Sequence, residues 1–229
     1  MDSEGSRMNE APEPPPKRVL IVDDHPITRE GLLHLIGNQP DLMVCGAASN
    51  SAEALDGIMT LEPNLVLSDF TLPDKCALEL IRDIKAIKPS LPILILSMHD
   101  ENLYAERVIR AGARGYISKH EGGEKLVVAI RQVLDGRIYA SENVAVRILE
   151  AFSGAEKNDP NSEVAGLSDR EFEIFELLGR GISTQQISSQ LHLSVKTVEA
   201  HRANIKSKLG LDTSSALISY AARWFAMRE

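Results

Sequence analysis

Between Arg18 and Gly136, five short apolar runs alternate with amphipathic stretches, and this alternation limits the possible folds more than any single residue does. The runs RVLIV, LMVCGAA, NLVLS, PILILS and GYIS are almost free of charge, as strands buried on both faces are. The stretches between them, ITREGLLHLIGN, SAEALDGIMTL, ALELIRDIKAIK and ENLYAERVIRAG, space their apolar residues as a helix does, and KLVVAIRQVLDG closes the series. Five strands interleaved with five helices predict an α/β unit: a five-stranded parallel sheet, in the common order 2-1-3-4-5, with helices on both faces.

The remainder reads differently. Residues 1–17 are polar and end in a proline run, with too little apolar surface to offset the entropy of ordering. After Gly136, SENVAVRILEAFS can form one helix, and GAEKNDPNSEVAG gathers Gly, Asn, Asp and Pro into a linker. From Leu167 the pattern is wholly helical and predicts four helices. Ser168 with Glu171 three residues on makes a capping box, and Ser183 and Ser194 are further N-caps. The expected divisions are a disordered tail at 1–17, the α/β domain at 18–137, a linker with a helix at 138–165, and an all-α domain at 166–229.

A net charge of −8 argues against a chain that coats nucleic acid as a polycation, though a local basic patch could still bind it. With Cys45 and Cys76 as the only cysteines, there is no disulfide framework and no CxxC metal knuckle, and both thiols are expected to be buried and inert. No apolar run reaches membrane-spanning length and no signal pattern opens the chain. A cytoplasmic protein without membrane contact is expected.

In an open parallel sheet, ligands gather beyond the carboxyl ends of the strands, where strand order reverses. Asp23 and Asp24 follow the first strand and Asp69 the third, so this topology brings three carboxylates into one crevice. Such a group is unfavourable unless protonated or bound to a cation, and clustered oxygen ligands suit Mg²⁺. Ser97 ends the fourth strand and Lys119 follows the fifth. A hydroxyl and an ammonium beside a metal and a carboxylate form a phosphoryl-binding set, with Asp69 able to attack phosphorus. Taken singly, an Asp at a strand end is usually a turn former and a lysine a solvated surface group. The constellation is what carries the chemistry.

VDDHP, DFTLP, LSMHD and GARGYISK make residues 18 to 137 resemble the receiver domain of two-component response regulators. That resemblance implies that Asp69 is the phosphoacceptor, fed by a histidine kinase or a small phosphodonor. It has Asp24 bind Mg²⁺ directly and Asp23 mostly through water, with the Thr71 backbone carbonyl as a further ligand. It also makes Ser97 and Tyr116 a switch pair: on phosphorylation the Ser97 hydroxyl turns toward the phosphoryl group and Tyr116 swings inward. Thr71 and His99 occupy positions that tune phosphate lifetime. Two departures stand out, Ala77 where the family has glycine and Leu72 where it has methionine.

In the helical domain, SVKTVEAHRANIKSKLG carries Lys196, Arg202, Lys206 and Lys208 against the single acid Glu199. Val195, Val198, Ile205 and Leu209 are expected on its buried face. A short helix, a tight turn at Leu193–Ser194 and then this basic helix have helix-turn-helix spacing. LSDREFEIFELLGRGIS and TVEAHRANIKSKLG resemble the LuxR-type DNA-binding domain. By that resemblance Glu199, Ala200 and Ala203 face the groove, with Lys196, Thr197 and Arg202 near the DNA. Thr184, Lys206 and Lys208 lie at or near phosphates. The last helix, through Ala216, Leu217 and Tyr220, is the dimerisation surface.

Together the halves resemble the NarL/FixJ class of response regulators. The class implies a histidine kinase, double-stranded DNA read as paired half-sites, a homodimer on activation and RNA polymerase as partners. It implies no enzymatic turnover beyond self-phosphorylation and slow self-dephosphorylation. The competing reading is an aspartyl-phosphate hydrolase of the haloacid dehalogenase type. Those enzymes carry a second Asp two residues after the nucleophile, where this chain has Thr71.

Overall fold

The computed structural model describes residues 14–99, 101–146, 164, 166–191 and 193–226. Residues 1–13 of the expected tail at 1–17, most of the expected helix and linker (147–163 and 165), Asp100, His192 and 227–229 lie outside the described residues, and Lys17, placed in that tail by the sequence, opens the first strand instead.

The α/β unit follows the alternation in order. It comprises β1 (Lys17–Val22), α1 (Pro26–Gly37), β2 (Leu42–Ala48), α2 (Ser51–Leu61), β3 (Leu65–Asp69), α3 (Ala77–Ile87), β4 (Ile93–Ser97), α4 (Glu101–Ala111), β5 (Gly115–Ser118) and α5 (Gly123–Leu134). All pairings are parallel, in the order β2-β1-β3-β4-β5. Because side chains alternate across a strand, consecutive apolar residues feed two cores. Val19, Ile21, Leu65, Leu67, Leu94, Leu96 and Ile117 pack with residues of α1 and α5. Leu20, Val22, Val66, Ile93, Ile95 and Tyr116 face the side of α2, α3 and α4. Cys76 is buried at the start of α3, where burial pushes its thiol up to about 12; Cys45 is only half-buried.

The C-terminal unit has four helices: α6 (Asp169–Gly179), α7 (Thr184–Gln190), α8 (Val195–Leu209) and α9 (Ser214–Ala226). Ser168 and Glu171 form the expected capping box, a second joins Ser183 to Gln186, and the Ser194 hydroxyl accepts from the Thr197 N–H. Gly181 and Gly210 follow α6 and α8 with φ of 78° and 65°, a left-handed backbone that glycine adopts without strain. The cluster around Phe172, Phe175, Val198, Ile205, Leu217, Ala221 and Trp224 forms this unit's core.

That core is continuous with the α2–α4 side of the sheet. Tyr104 of α4 meets Phe172 of α6 edge-on at 5.3 Å between ring centroids. The Arg107 guanidinium lies 4.2 Å from the Phe172 ring centroid and donates to the carbonyls of Val164 and Leu167. Arg82 of α3 pairs with Asp169 at 2.6 Å. The α/β domain therefore docks on the first helix of the helical unit.

Candidate functional site

Strand register brings the acidic residues together. Val22 of β1 pairs with Ser68 of β3, and Asp69 pairs with Leu96 of β4, so both strands end at one level. Asp23 and Asp69 are buried there and Asp24 is half-buried. Lys119, in the short 3-10 helix after β5, reaches across with Nζ 3.0 Å from Asp23 Oδ2 and 3.0 Å from Asp69 Oδ2. Asp69 Oδ1 accepts from the Phe70 N–H at 2.7 Å, and Asp23 Oδ1 from the His25 N–H at 2.8 Å.

Burial raises the Asp69 carboxyl above its ordinary value; Lys119 opposes this and Asp23 adds to it. Burial works to lower the Lys119 ammonium, but Asp69 and Asp23 outweigh it, so its net shift is upward. Three carboxylates against one ammonium leave two uncompensated negative charges, which one divalent cation balances. Ligand atoms of Asp23, Asp24, His25 and Asp69 all lie within 4.8 Å of one another. Asp24 Oδ1 is buried without a hydrogen-bond partner, and the His25 Nδ1 atom lies 2.7 Å away as its neighbour in the cluster. A buried, unpartnered carboxylate oxygen among other carboxylates fits a hard cation such as Mg²⁺. His25 is a further member of this cluster, signalled in the sequence only by its position directly after the Asp pair.

Ser97 is fully buried at the end of β4, and its hydroxyl accepts from the His99 N–H at 3.0 Å. Tyr116 donates from its hydroxyl to the His99 carbonyl at 2.8 Å. Its ring is already inside, 1% exposed, so the inward swing implied by the resemblance has no outward starting point here. The cause is packing: the ring belongs to the core that continues into the helical domain. Thr71 Oγ1 lies 3.2 Å from His99 Nε2, and Ala77 opens α3 with its N–H donating to the Phe70 carbonyl at 2.9 Å.

On α8, Lys196, Thr197, Glu199, Ala200, Ala203 and Lys208 are exposed and Lys206 is half-buried. Arg202 differs from its neighbours. It is buried, and its NH1 donates at 2.6 Å to both Thr184 Oγ1 of α7 and Glu199 Oε1. Lys208 pairs with Glu171 of α6 at 2.7 Å. Val195, expected on the buried face, is exposed at the helix start. On α9, Ala216 and Tyr220 are half-buried, but Leu217 is wholly inside the domain core. Leu217 therefore belongs to packing rather than to an outward surface, because it shares the inner stripe of Ala221 and Trp224.

Residues 19–131 match the response regulator receiver domain, and residues 165–221 match the bacterial regulatory proteins of the luxR family. The oxygen regulatory protein NreC of Staphylococcus carnosus (strain TM300) is 34% identical over 211 residues, covering 90% of this chain and 97% of its own. Among solved structures, the RcsB response regulator of Salmonella typhimurium is 25% identical with a TM-score of 0.63, covering 91% of this chain and 98% of its own. RcsB from Salmonella enterica serovar Typhimurium, bound to promoter rprA in the presence of phosphomimetic BeF₃⁻, is 26% identical with a TM-score of 0.61, covering 90% and 98%. A LuxR-family two-component response regulator from Aurantimonas sp. SI85-9A1 is 36% identical with a TM-score of 0.56, covering 60% and 99%. The chain belongs to the two-component response regulators. Within them it is a DNA-binding transcription regulator of the luxR type, similar to NreC along nearly its whole length. Among the described residues no helix is long and apolar enough to cross a membrane.

Proposed function

We propose that phosphoryl transfer to Asp69 controls how this regulator assembles on DNA. An Asp69 carboxylate oxygen attacks the phosphorus of a histidine kinase's phosphohistidine or of a small phosphodonor. A new P–O bond forms, the bond from phosphorus to the donor breaks, and the donor atom leaves with that electron pair. Asp23, Asp24, Asp69 and the Thr71 carbonyl would hold Mg²⁺, which would supply positive charge to the phosphoryl oxygens. Lys119 moves from its carboxylate pair to a phosphoryl oxygen, and the Ser97 hydroxyl donates to another. The observation that carries this reading is the meeting of Asp23, Asp69 and Lys119 Nζ at 3.0 Å, with Asp24 and its unpartnered oxygen beside them.

The docked helical domain keeps the groove-facing side of α8 exposed. Phosphorylation therefore acts by rearranging and pairing two copies, more than by uncovering the reading helix. Two copies bind paired half-sites, with the outward side of α9 at Ala216 and Tyr220 as their contact and RNA polymerase as the partner met at the promoter. Lys196, Lys206, Lys208, Thr184 and Thr197 serve the phosphate backbone, and Glu199 with Ala200 and Ala203 faces the base edges. Arg202, being buried, acts through Thr184 and Glu199 rather than on DNA.

The test is incubation with acetyl phosphate and Mg²⁺, followed by intact mass and DNA binding. One stable equivalent of phosphoryl, lost in Asp69→Ala and without Mg²⁺, with tighter binding to paired sites, is the expected result. Sustained hydrolysis of a phosphoester over many turnovers would instead mark a hydrolase.

A further inference from the structure

We propose that His99 is the positioning residue that couples the phosphorylation switch to the DNA-binding domain. Its backbone is held by both switch residues and its ring is held against Glu176 of α6. The proposal rests on phosphorylation of Asp69 and adds the route by which that event reaches the second domain.

Four contacts meet at this one residue. The His99 N–H donates to Ser97 Oγ at 3.0 Å, and its carbonyl accepts from the Tyr116 hydroxyl at 2.8 Å. Its Nε2 lies 3.2 Å from Thr71 Oγ1, two residues past the phosphoacceptor. Its Nδ1 faces Glu176 Oε2 across the domain seam at 4.0 Å. The ring also sits between aromatic neighbours, 5.2 Å from Phe70 and 5.1 Å from Tyr104 by ring centroid. A line of rings thus runs from the end of β3 through His99 and Tyr104 to Phe172 of α6.

Glu176 makes this seam sensitive. Its side chain is 2% exposed and accepts from Tyr104 of α4 and Arg180 of its own domain. A buried carboxylate is stable only while its partners stay in place, and losing one leaves a desolvated charge. A phosphoryl group on Asp69 presents strong acceptor oxygens to the Ser97 hydroxyl. When Ser97 turns to donate to them, the His99 N–H loses its acceptor. The Thr71 loop must also adjust to the added group. His99 then loses the restraints that aim its ring at Glu176, and the α4–α6 seam loosens.

The chain's single tryptophan, Trp224, reports on that seam. It is 5% exposed and packs 5.8 Å from Phe172 by ring centroid. The experiment uses the full chain with and without beryllofluoride and Mg²⁺. It measures Trp224 emission and acrylamide quenching, with phosphoryl uptake from acetyl phosphate measured in parallel. Wild type should shift its emission to the red and quench severalfold faster with beryllofluoride. His99→Ala should be in that state already and gain nothing from beryllofluoride. Glu176→Gln, in the other domain and outside the phosphorylation site, should behave the same way and still take up phosphoryl, and the double variant should go no further. Wild type that takes up phosphoryl while Trp224 stays shielded overturns the coupling and leaves the phosphorylation reading intact. His99→Ala that responds like wild type overturns it as well. Should His99→Ala lose its circular-dichroism signal, Glu176→Gln decides alone, and a wild-type response there sinks the proposal. Wild type that takes up no phosphoryl fails the phosphorylation reading, and the coupling with it.

Discussion

The acidic crevice and the recognition helix α8 are both rich in charge, but they hold it in opposite ways. In the crevice, charges from the ends of three strands converge in a buried place, where Asp23 and Asp69 share one ammonium and Asp24 keeps an unpartnered oxygen. On α8 the charges come from one continuous helix, and most stand in solvent. Buried like charges are costly unless something neutralises them, so the crevice implies its ligand. Exposed charges cost little and imply none by themselves. The helix declares DNA only through its place in the helix-turn-helix.

The largest expected effect tests the buried half of this contrast. Replacing Asp23 and Asp24 together by Ala removes two of the three carboxylates proposed to hold the cation. Phosphorylation by acetyl phosphate in Mg²⁺ should slow by more than about 100-fold, the scale of losing a preorganised electrostatic element. The rate of acyl-phosphate formation, followed by intact mass, checks this. An undiminished rate would mean that the cluster holds no cation that matters.

Arg202 and Lys196 sharpen the contrast within α8 itself. Arg202→Ala leaves Thr184 and Glu199 without their shared donor. The helical domain should lose about 1–3 kcal/mol in urea unfolding, and DNA binding should weaken as a consequence. Lys196→Ala should stay within about 0.5 kcal/mol in stability but reduce the salt dependence of DNA binding by about one unit of slope. Equal stability losses in the two variants would erase the distinction between a buried and an exposed cation.

These two regions also differ in how far the chain's sequence exposes them. Asp23, Asp69 and Lys119 are legible together in the sequence, because each sits at a strand end and the common order of such sheets sets those ends side by side. The burial of Arg202 was open to the same arithmetic. It falls four residues after Val198 and three before Ile205, on the stripe that faces the core, but its charge masked the pattern. Leu217 stands four and seven residues before Ala221 and Trp224, a spacing that sets it on the inner stripe of α9. The docking of α4 on α6 had no local signal. Tyr104, Arg107, Phe172 and Glu176 look ordinary on their own helices, and only long-range packing makes them neighbours.

The smallest expected effect concerns a carboxylate that joins the two styles of charge. Glu171 is buried in the capping box of α6, yet its partner Lys208 lies on the exposed side of α8. Burial pushes its carboxyl up, but hydrogen bonds from Lys208 and Ser168 outweigh burial and hold it below the ordinary value of 4.5. A carboxyl lowered in the folded state binds fewer protons there than in the unfolded chain. It therefore stabilises the fold fully above pH 4.5, and this contribution is lost as pH falls through the folded value. In urea unfolding across that range, Glu171→Gln should be less stable than wild type near neutrality and converge with it in acid. Glutamine can keep the cap hydrogen bond, as Gln186 does in α7, so loss of the charge paired with the partly exposed Lys208 sets the scale, at about 1 kcal/mol or less. Because Lys208 is already engaged, Lys208→Ala should reduce the salt slope of DNA binding less than Lys196→Ala does. An equal reduction would mean that DNA draws Lys208 away from Glu171, and that this pair belongs with the exposed charges after all.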